Sequence, residues 1–209
     1  MSPEKNTNKN TGLILLAAGA SVRLGHPKQL LMYNGQTLLQ NSLQSALASG
    51  AQPLIVVLGA NADTIKNEIK NDRLHVVINA QWEKGMASSI QSGVKAIVEM
   101  TPDAEGIIVM VCDQPYVTSS LLNELITTHE KTGKQIVACS YENSFGPPVF
   151  FHRSFFDKLL QLEGDTGARS IVSQHIDLVE LIPFPEGTFD IDTEADFERI
   201  KYNNKQMMN

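Results

Sequence analysis

The sequence predicts one α/β domain with a mostly parallel sheet and helices on both faces. Three observations carry this. Short unbroken apolar runs, LILLA (13–17), PLIVVL (53–58) and GIIVMV (106–111), suit strands buried on both faces. The segments between them repeat apolar residues at helical spacing, and strands alternating with helices give a parallel sheet. The 209 residues, 42% hydrophobic and 19% charged, suit one globular domain with a sizeable core.

The first run stops at Ala18-Gly19-Ala20-Ser21, too small to continue a packed strand. A glycine there lets the backbone take positive φ and approach a ligand closely. Arg23 and Lys28 follow, with Gly25 and Pro27 between them. A strand entering a small-residue loop with two cations suits a polyphosphate: backbone N–H groups form a nest and the cations neutralise charge. An ordinary βα turn is the plainer alternative. The GxxxxGK[ST] and GxGxxG spacings are both absent.

The short apolar piece 29–33 is closed by the turn signal Asn34-Gly35. Thr37 is placed to cap a helix reaching about residue 49, with Leu38, Leu39, Leu43, Ala46 and Leu47 at helical spacing and Gly50 as its stop. Strand 53–58, helix 61–70 and strand 75–78 follow. Residues 85–100 carry a helical pattern with Met86, Ile90, Val94, Ile97 and Val98 on one side. Strand 106–111 ends at Cys112-Asp113-Gln114-Pro115, and Thr118 caps a helix to about residue 130. Strand 135–139 comes next. Gly146-Pro147-Pro148 then breaks the structure before strand 149–151. Strand 178–182 and a helix capped by Thr193 and running through residue 201 complete the domain, at 11–202. Residues 1–10 and 203–209 read as tails.

Sheets of this kind bind ligands at the carboxyl ends of their strands, where Ala18-Gly19 and Asp113 lie. Asp113 suits a Mg²⁺ ligand, since Mg²⁺ takes one or two carboxylates plus phosphate oxygens. A capping role falls more naturally to Thr118. Asp190 and Asp192 would face the same side of a strand, although Asp192 or Thr193 could instead cap the last helix. In NAQWEKGMASSIQSGV, Ser88 and Ser89 stand at a helix start, where hydroxyls and free N–H groups serve either a ligand or the helix itself. GDTGAR (164–169) is a second small-residue loop, with one acid and one cation.

The net charge of −6 argues against a general nucleic-acid binder. No run of about 18 apolar residues suggests a membrane span. The two cysteines, Cys112 and Cys139, fit no metal or disulfide pattern, and a reducing cytoplasmic setting is expected. The polar amino terminus lacks the apolar core of a signal peptide. The five histidines form no ligand motif.

LAAGASVRLGHPK resembles the LAAGxSxRxGxxK signature of nucleotidyltransferases similar to the molybdenum cofactor cytidylyltransferases and related sugar-nucleotide enzymes. It matches at Leu16, Ala17, Ala18, Gly19, Ser21, Arg23, Gly25 and Lys28. Further stretches resemble that family's DxP, DIDTPEDL, GMxxSLxxG, GxPxLF and GDxGAR elements, with Glu194-Ala195 where the family often has Pro-Glu. The resemblance implies a Rossmann-like three-layer domain of the nucleotide-diphospho-sugar transferase type, with a mostly parallel, mixed sheet. It implies Mg²⁺-dependent transfer of CMP from CTP to the phosphate of a molybdopterin-type molybdenum cofactor. Catalysis would rest on Arg23, Lys28 and Asp113. Nucleotide binding would involve these together with Ala17, Ala18, Gly19, Ala20, Ser21, Gly85, Met86, Ser89 and Cys112. The metal would fall to Asp113 and Asp192, supported by Asp190. Gln114, Pro115, Gly146, Pro147, Pro148, Gly167 and Arg169 would form the acceptor side, with Arg169 on the acceptor's phosphate. Transient contact with a molybdoenzyme or its chaperone is also implied. Guanylyl-transferring relatives carry LAGG, so Ala18 points to the smaller pyrimidine. The alternatives are a cytidylyl- or uridylyltransferase acting on a sugar or polyol phosphate, and a non-catalytic nucleotide- or cofactor-binding protein.

Overall fold

The computed structural model describes residues 10–142 and 144–207, with side chains through residue 200. The chain begins with β1 (Thr11–Ala17), makes a hairpin of β2 (Met32–Tyr33) and β3 (Gln36–Thr37), and enters α1 (Leu38–Ala48). Then come β4 (Leu54–Leu58), α2 (Ala62–Lys66), β5 (Leu74–Ile78), α3 (Met86–Met100) and β6 (Gly106–Val111). The second half contains α4 (Ser119–Thr132), β7 (Ile136–Tyr141), β8 (Ser144–His152), α5 (Phe156–Leu160), α6 (Ala168–Gln174), β9 (Val179–Pro183) and α7 (Glu194–Met207).

Seven strands form one sheet in the order β5-β4-β1-β6-β8-β7-β9. Among the described strands of this sheet β8 alone runs against its neighbours, β6 and β7. Alternation along β1 builds the two faces. Leu13 and Leu15 join Leu39 and Leu43 of α1 and Leu122 and Leu125 of α4. Ile14 and Leu16 join Ile90, Val94 and Ile97 of α3, with Leu159 of α5 and Ile171 of α6. Burying one such side chain stabilises by about 1.5–3 kcal/mol, so the two clusters, rather than helix propensity, fix the three layers. A third cluster packs α7 on the hairpin through Leu31, Tyr33, Leu38, Ile191, Phe197 and Ile200.

Local signals act as expected at several ends. Thr37 and Gln40 form a reciprocal capping box at α1, and the Thr118 hydroxyl accepts from Leu121 N at α4. Asn34 and Gly35 both take positive φ in the hairpin turn, at 51° and 81°. Asp196 N donates to the Thr193 hydroxyl at the start of α7.

Other local signals are overridden. Gly146, Pro147 and Pro148 do not break the structure; they lie inside β8, and the pairing absorbs them through a register shift at Ala138/Cys139 of β7. Met86 and Val98 are 45% and 39% exposed, so the buried stripe of α3 is narrower than its apolar pattern. The helix expected over 61–70 is the short α2. Residues 28–30 make a 3₁₀ turn, leaving only Met32–Tyr33 as strand. Helix α7 takes in residues 203–207, which read as tail, while residues 1–9 and 208–209 lie outside the described residues. No helix among the described residues is long and apolar enough to cross a membrane.

Candidate active site

Strands β1 and β6 lie side by side and parallel, and their carboxyl ends open one cleft of about 350 Å³. The loop after β1 is held from within. Ser21 takes positive φ, 54°, and its carbonyl accepts from Leu24 N and Gly25 N. Its hydroxyl accepts from Lys28 N at 3.0 Å. The loop thus closes into a turn that ends on Lys28.

Lys28 is the centre of an ion cluster. Its Nζ donates to Asp113 Oδ2 at 2.5 Å and to Asp192 Oδ1 at 2.9 Å. Arg23 Nη2 donates to the other Asp192 oxygen at 2.8 Å. Burial alone would pull the Lys28 ammonium down, but the neighbouring Asp113 and Asp192 carboxylates reverse this and raise its pKa. Burial likewise pushes Asp192 up, and Lys28 and Arg23 bring it below the usual carboxylate range. The other Asp113 oxygen, Oδ1, is buried and has no partner. Asp190 forms no ion pair among the described residues. Desolvation first, then the Asp113 charge, pushes its carboxyl up to about 6.

Two carboxylates converging on one cation, with a third oxygen unpaired, form a donor set that suits a hard cation. No group of three or more His, Cys, Asp or Glu forms a metal cage among the described residues. The set therefore fits a cation that takes its remaining ligands from phosphate or water.

The opposite wall is the start of α3. Gly85 has φ of 98°, and an added Cβ would meet the Gly164 backbone and Asp165 Oδ1. Ala87 N donates to Gly164 O, so loop 163–167 packs directly on this turn. Gly85, Met86 and Ser89 line the cleft with Ala17, Ala18, Gly19, Ala20, Lys28, Cys112 and Asp113. Ser21 and Arg23 are not part of that lining. Burial pushes the Cys112 thiol up to about 12, which leaves it a wall residue rather than a nucleophile.

The acceptor-side expectations divide. Gly167 abuts Met86, on the wall that carries Ser89, and Asp165 of the same loop lines the cleft. Arg169 is stacked 5.6 Å from the Phe145 ring centroid, and its charge acts on Tyr141 together with those of Asp190 and Asp113. Gly146 is pressed against the Tyr141 hydroxyl, in the strand that also holds Pro147 and Pro148. Gln114 is buried, and its Nε2 donates to Gly187 O at 3.3 Å. Pro115 follows it in the turn leading to α4.

Sequence reasoning missed three residues here and read a fourth, Asp165, only as the acid of the 164–169 loop. Gln29 donates from Nε2 to the carbonyls of Ala17 and Gly19. Asn79 Nδ2 donates to both Ser88 and Ser89 hydroxyls. Glu83 and Asp165 place carboxylates on the cleft wall. A polar residue beside an apolar stretch was the only sequence signal for Gln29. The other three contacts arise from tertiary packing.

Comparison with known proteins adds a family match, two sequence relatives and two solved structures. Residues 13–179 match the family model described as the MobA-like NTP transferase domain. The chain is 32% identical over 198 residues to a protein named nicotine blue oxidoreductase from Paenarthrobacter nicotinovorans, covering 90% of this chain and 94% of that one. It is 31% identical over 169 residues to purine catabolism protein PucB of Bacillus subtilis, covering 76% and 78%. Rv0371c of Mycobacterium tuberculosis shares the fold with a TM-score of 0.78 and 31% identity, over 93% of this chain and 98% of that one. A crystal structure of Rv0371c is a complex with manganese, with a TM-score of 0.75 and 29% identity to this chain over the same shares.

Proposed function

This chain belongs to the MobA-like NTP transferase family, and on that premise we propose that it transfers CMP from CTP to the phosphate of a molybdopterin-type cofactor. The observation that carries the proposal is the Lys28 bridge between Asp113 and Asp192 at the mouth of the cleft. Such chemistry needs positioning and charge neutralisation more than a covalent protein nucleophile.

Lys28, Arg23 and the loop amides hold the triphosphate. Asp113 and Asp192 hold a divalent cation, Mg²⁺ by this proposal, and the manganese complex of Rv0371c supports a cation in this family. When bound, that cation supplies Lewis-acid neutralisation of the phosphate oxygens. An acceptor phosphate oxygen attacks the α-phosphorus of CTP. The new P–O bond closes a diphosphate, the α–β bridging bond breaks, and pyrophosphate leaves with the electron pair. No general base is needed, because the acceptor phosphate is already ionised near pH 7.

Ser89, oriented by Asn79, offers a hydroxyl to the base. Gln114, Pro115, Gly146, Pro147, Pro148 and Arg169 form the acceptor side of the proposal. Gly167 belongs with them in the proposal and also packs against Met86. Pyrophosphate release on mixing protein, CTP, Mg²⁺ and acceptor tests the reading. A second reading, an oxidoreductase, rests on the name of the Paenarthrobacter relative. Consumption of a redox cofactor without pyrophosphate release would favour it.

A further inference from the structure

We infer that Gln29 is the positioning residue of the phosphate-binding loop, turning the peptide planes of residues 17–20 so that N–H groups face the cleft. The inference rests on the reading above for the kind of anion bound.

Gln29 is a polar side chain with 0% exposure. Its Nε2 donates to Ala17 O at 2.9 Å and to Gly19 O at 3.0 Å. Two carbonyl acceptors on one atom settle which end of the amide is nitrogen, because a flipped amide would set Oε1 against two carbonyl oxygens. In a trans peptide the C=O and the following N–H point in opposite directions. Holding the carbonyls of Ala17 and Gly19 therefore aims the N–H groups of Ala18 and Ala20 away from Gln29. The carbonyl between them, Ala18 O, turns to a different partner and accepts from Ala60 N at 3.0 Å.

Among the described residues no acceptor meets the N–H of Ala18 or Ala20, and both residues line the cleft. Aimed, unspent N–H groups are what an anion nest requires. Gln29 borders the same cleft, and its Oε1 is buried with no hydrogen-bond partner in the protein. Lys28, the preceding residue, has its backbone N–H held by Ser21. One short turn thus sets both the cation and the orientation of the amides.

Gln29→Leu keeps the bulk and removes both donors; Gln29→Glu places negative oxygens against the two carbonyls. The test is calorimetric titration of wild type and both variants with inorganic pyrophosphate, CTP and CMP, beside thermal melts. Gln29→Leu is expected to weaken pyrophosphate and CTP about tenfold or more and CMP by less than about threefold, with Gln29→Glu weaker still. Should Gln29→Leu fail to fold, Gln29→Met carries the same expectation. Wild-type affinity for pyrophosphate in a folded variant overturns the inference. So does an equal loss for CMP and CTP, which would mark general damage to the cleft. Wild-type protein that binds pyrophosphate without turning over CTP counts against the cytidylyl reading alone. Wild-type protein that binds none of the three overturns both.

Discussion

Lys28 Nζ lies 2.9 Å from Asp192 Oδ1, although the two residues are 164 positions apart in the chain. Apolar packing closes that distance. Ile191, fully buried, anchors the Asp192 segment against the β2–β3 hairpin and α7. Ile191 N also donates to Asp113 O at 3.2 Å, tying the backbones of the two acidic segments together. The geometry of the charges is therefore set by a hydrophobic latch and a backbone hydrogen bond, and the ion pairs form on that frame.

Asp113→Asn is expected to lower turnover roughly 10²–10³-fold or more while leaving the fold intact, because it removes a carboxylate proposed to hold the cation that neutralises the reacting phosphates. Steady-state rates at saturating Mg²⁺, with a thermal melt as control, check this. Near-normal turnover would remove Asp113 from the cation site.

Lys28→Ala should cost more than Arg23→Ala. The Lys28 side chain is 15% exposed and meets two carboxylates; the Arg23 side chain is 68% exposed and meets one. An exposed pair contributes at most about 1 kcal/mol, so Arg23→Ala should keep its melting temperature and lose nucleotide affinity. Lys28→Ala should lose both. Nucleotide titrations and melts of the two variants decide it, and unchanged binding in both would leave the phosphate-loop reading without support.

Ala18→Gly should raise GTP use relative to CTP. Ala18 is buried at the cleft wall, and removing its methyl opens space for a larger base. Turnover of both nucleotides by wild type and variant provides the comparison. An unchanged ratio would show that Ala18 does not read base size.

Stability should fall as pH drops through the His152 titration. Burial first, then the facing His129, lowers the His152 pKa, with Arg153 adding to the effect and Glu105 opposing it. The unfolded chain binds the proton more readily, so the stabilisation is present above the ordinary histidine range near 6.5 and is lost on acidification below it. His152→Phe, which keeps a ring against His129, should flatten that dependence. Urea melts between pH 8 and 5 (about the histidine range) check the sign. A variant that loses stability on acidification as steeply as wild type would contradict it.

The centre of the sheet was legible because β1, β4 and β6 are unbroken apolar runs bounded by turn residues, as at Leu13 to Ala17 and its small-residue stop. Asp113 was legible for the same reason, a lone carboxylate closing such a run. Gly146 to Pro148 misled, because a prolyl pair breaks local hydrogen bonding and only the neighbouring strand's register shift shows how a sheet accommodates it. Gln29 and Asn79 were invisible, since an amide's value lies in which distant groups it meets. Asp165 sits beside Gly85 by packing of two loops far apart in sequence, a contact no local spacing encodes.

The most direct test is the initial rate of pyrophosphate formation when the protein is mixed with Mg²⁺, a phosphorylated molybdopterin-type acceptor and each of CTP, UTP, GTP and ATP in turn. The account predicts acceptor-dependent release that is fastest with CTP, one pyrophosphate for each CMP transferred. A preference for GTP, or no pyrophosphate with any nucleotide in the presence of the acceptor, would contradict it.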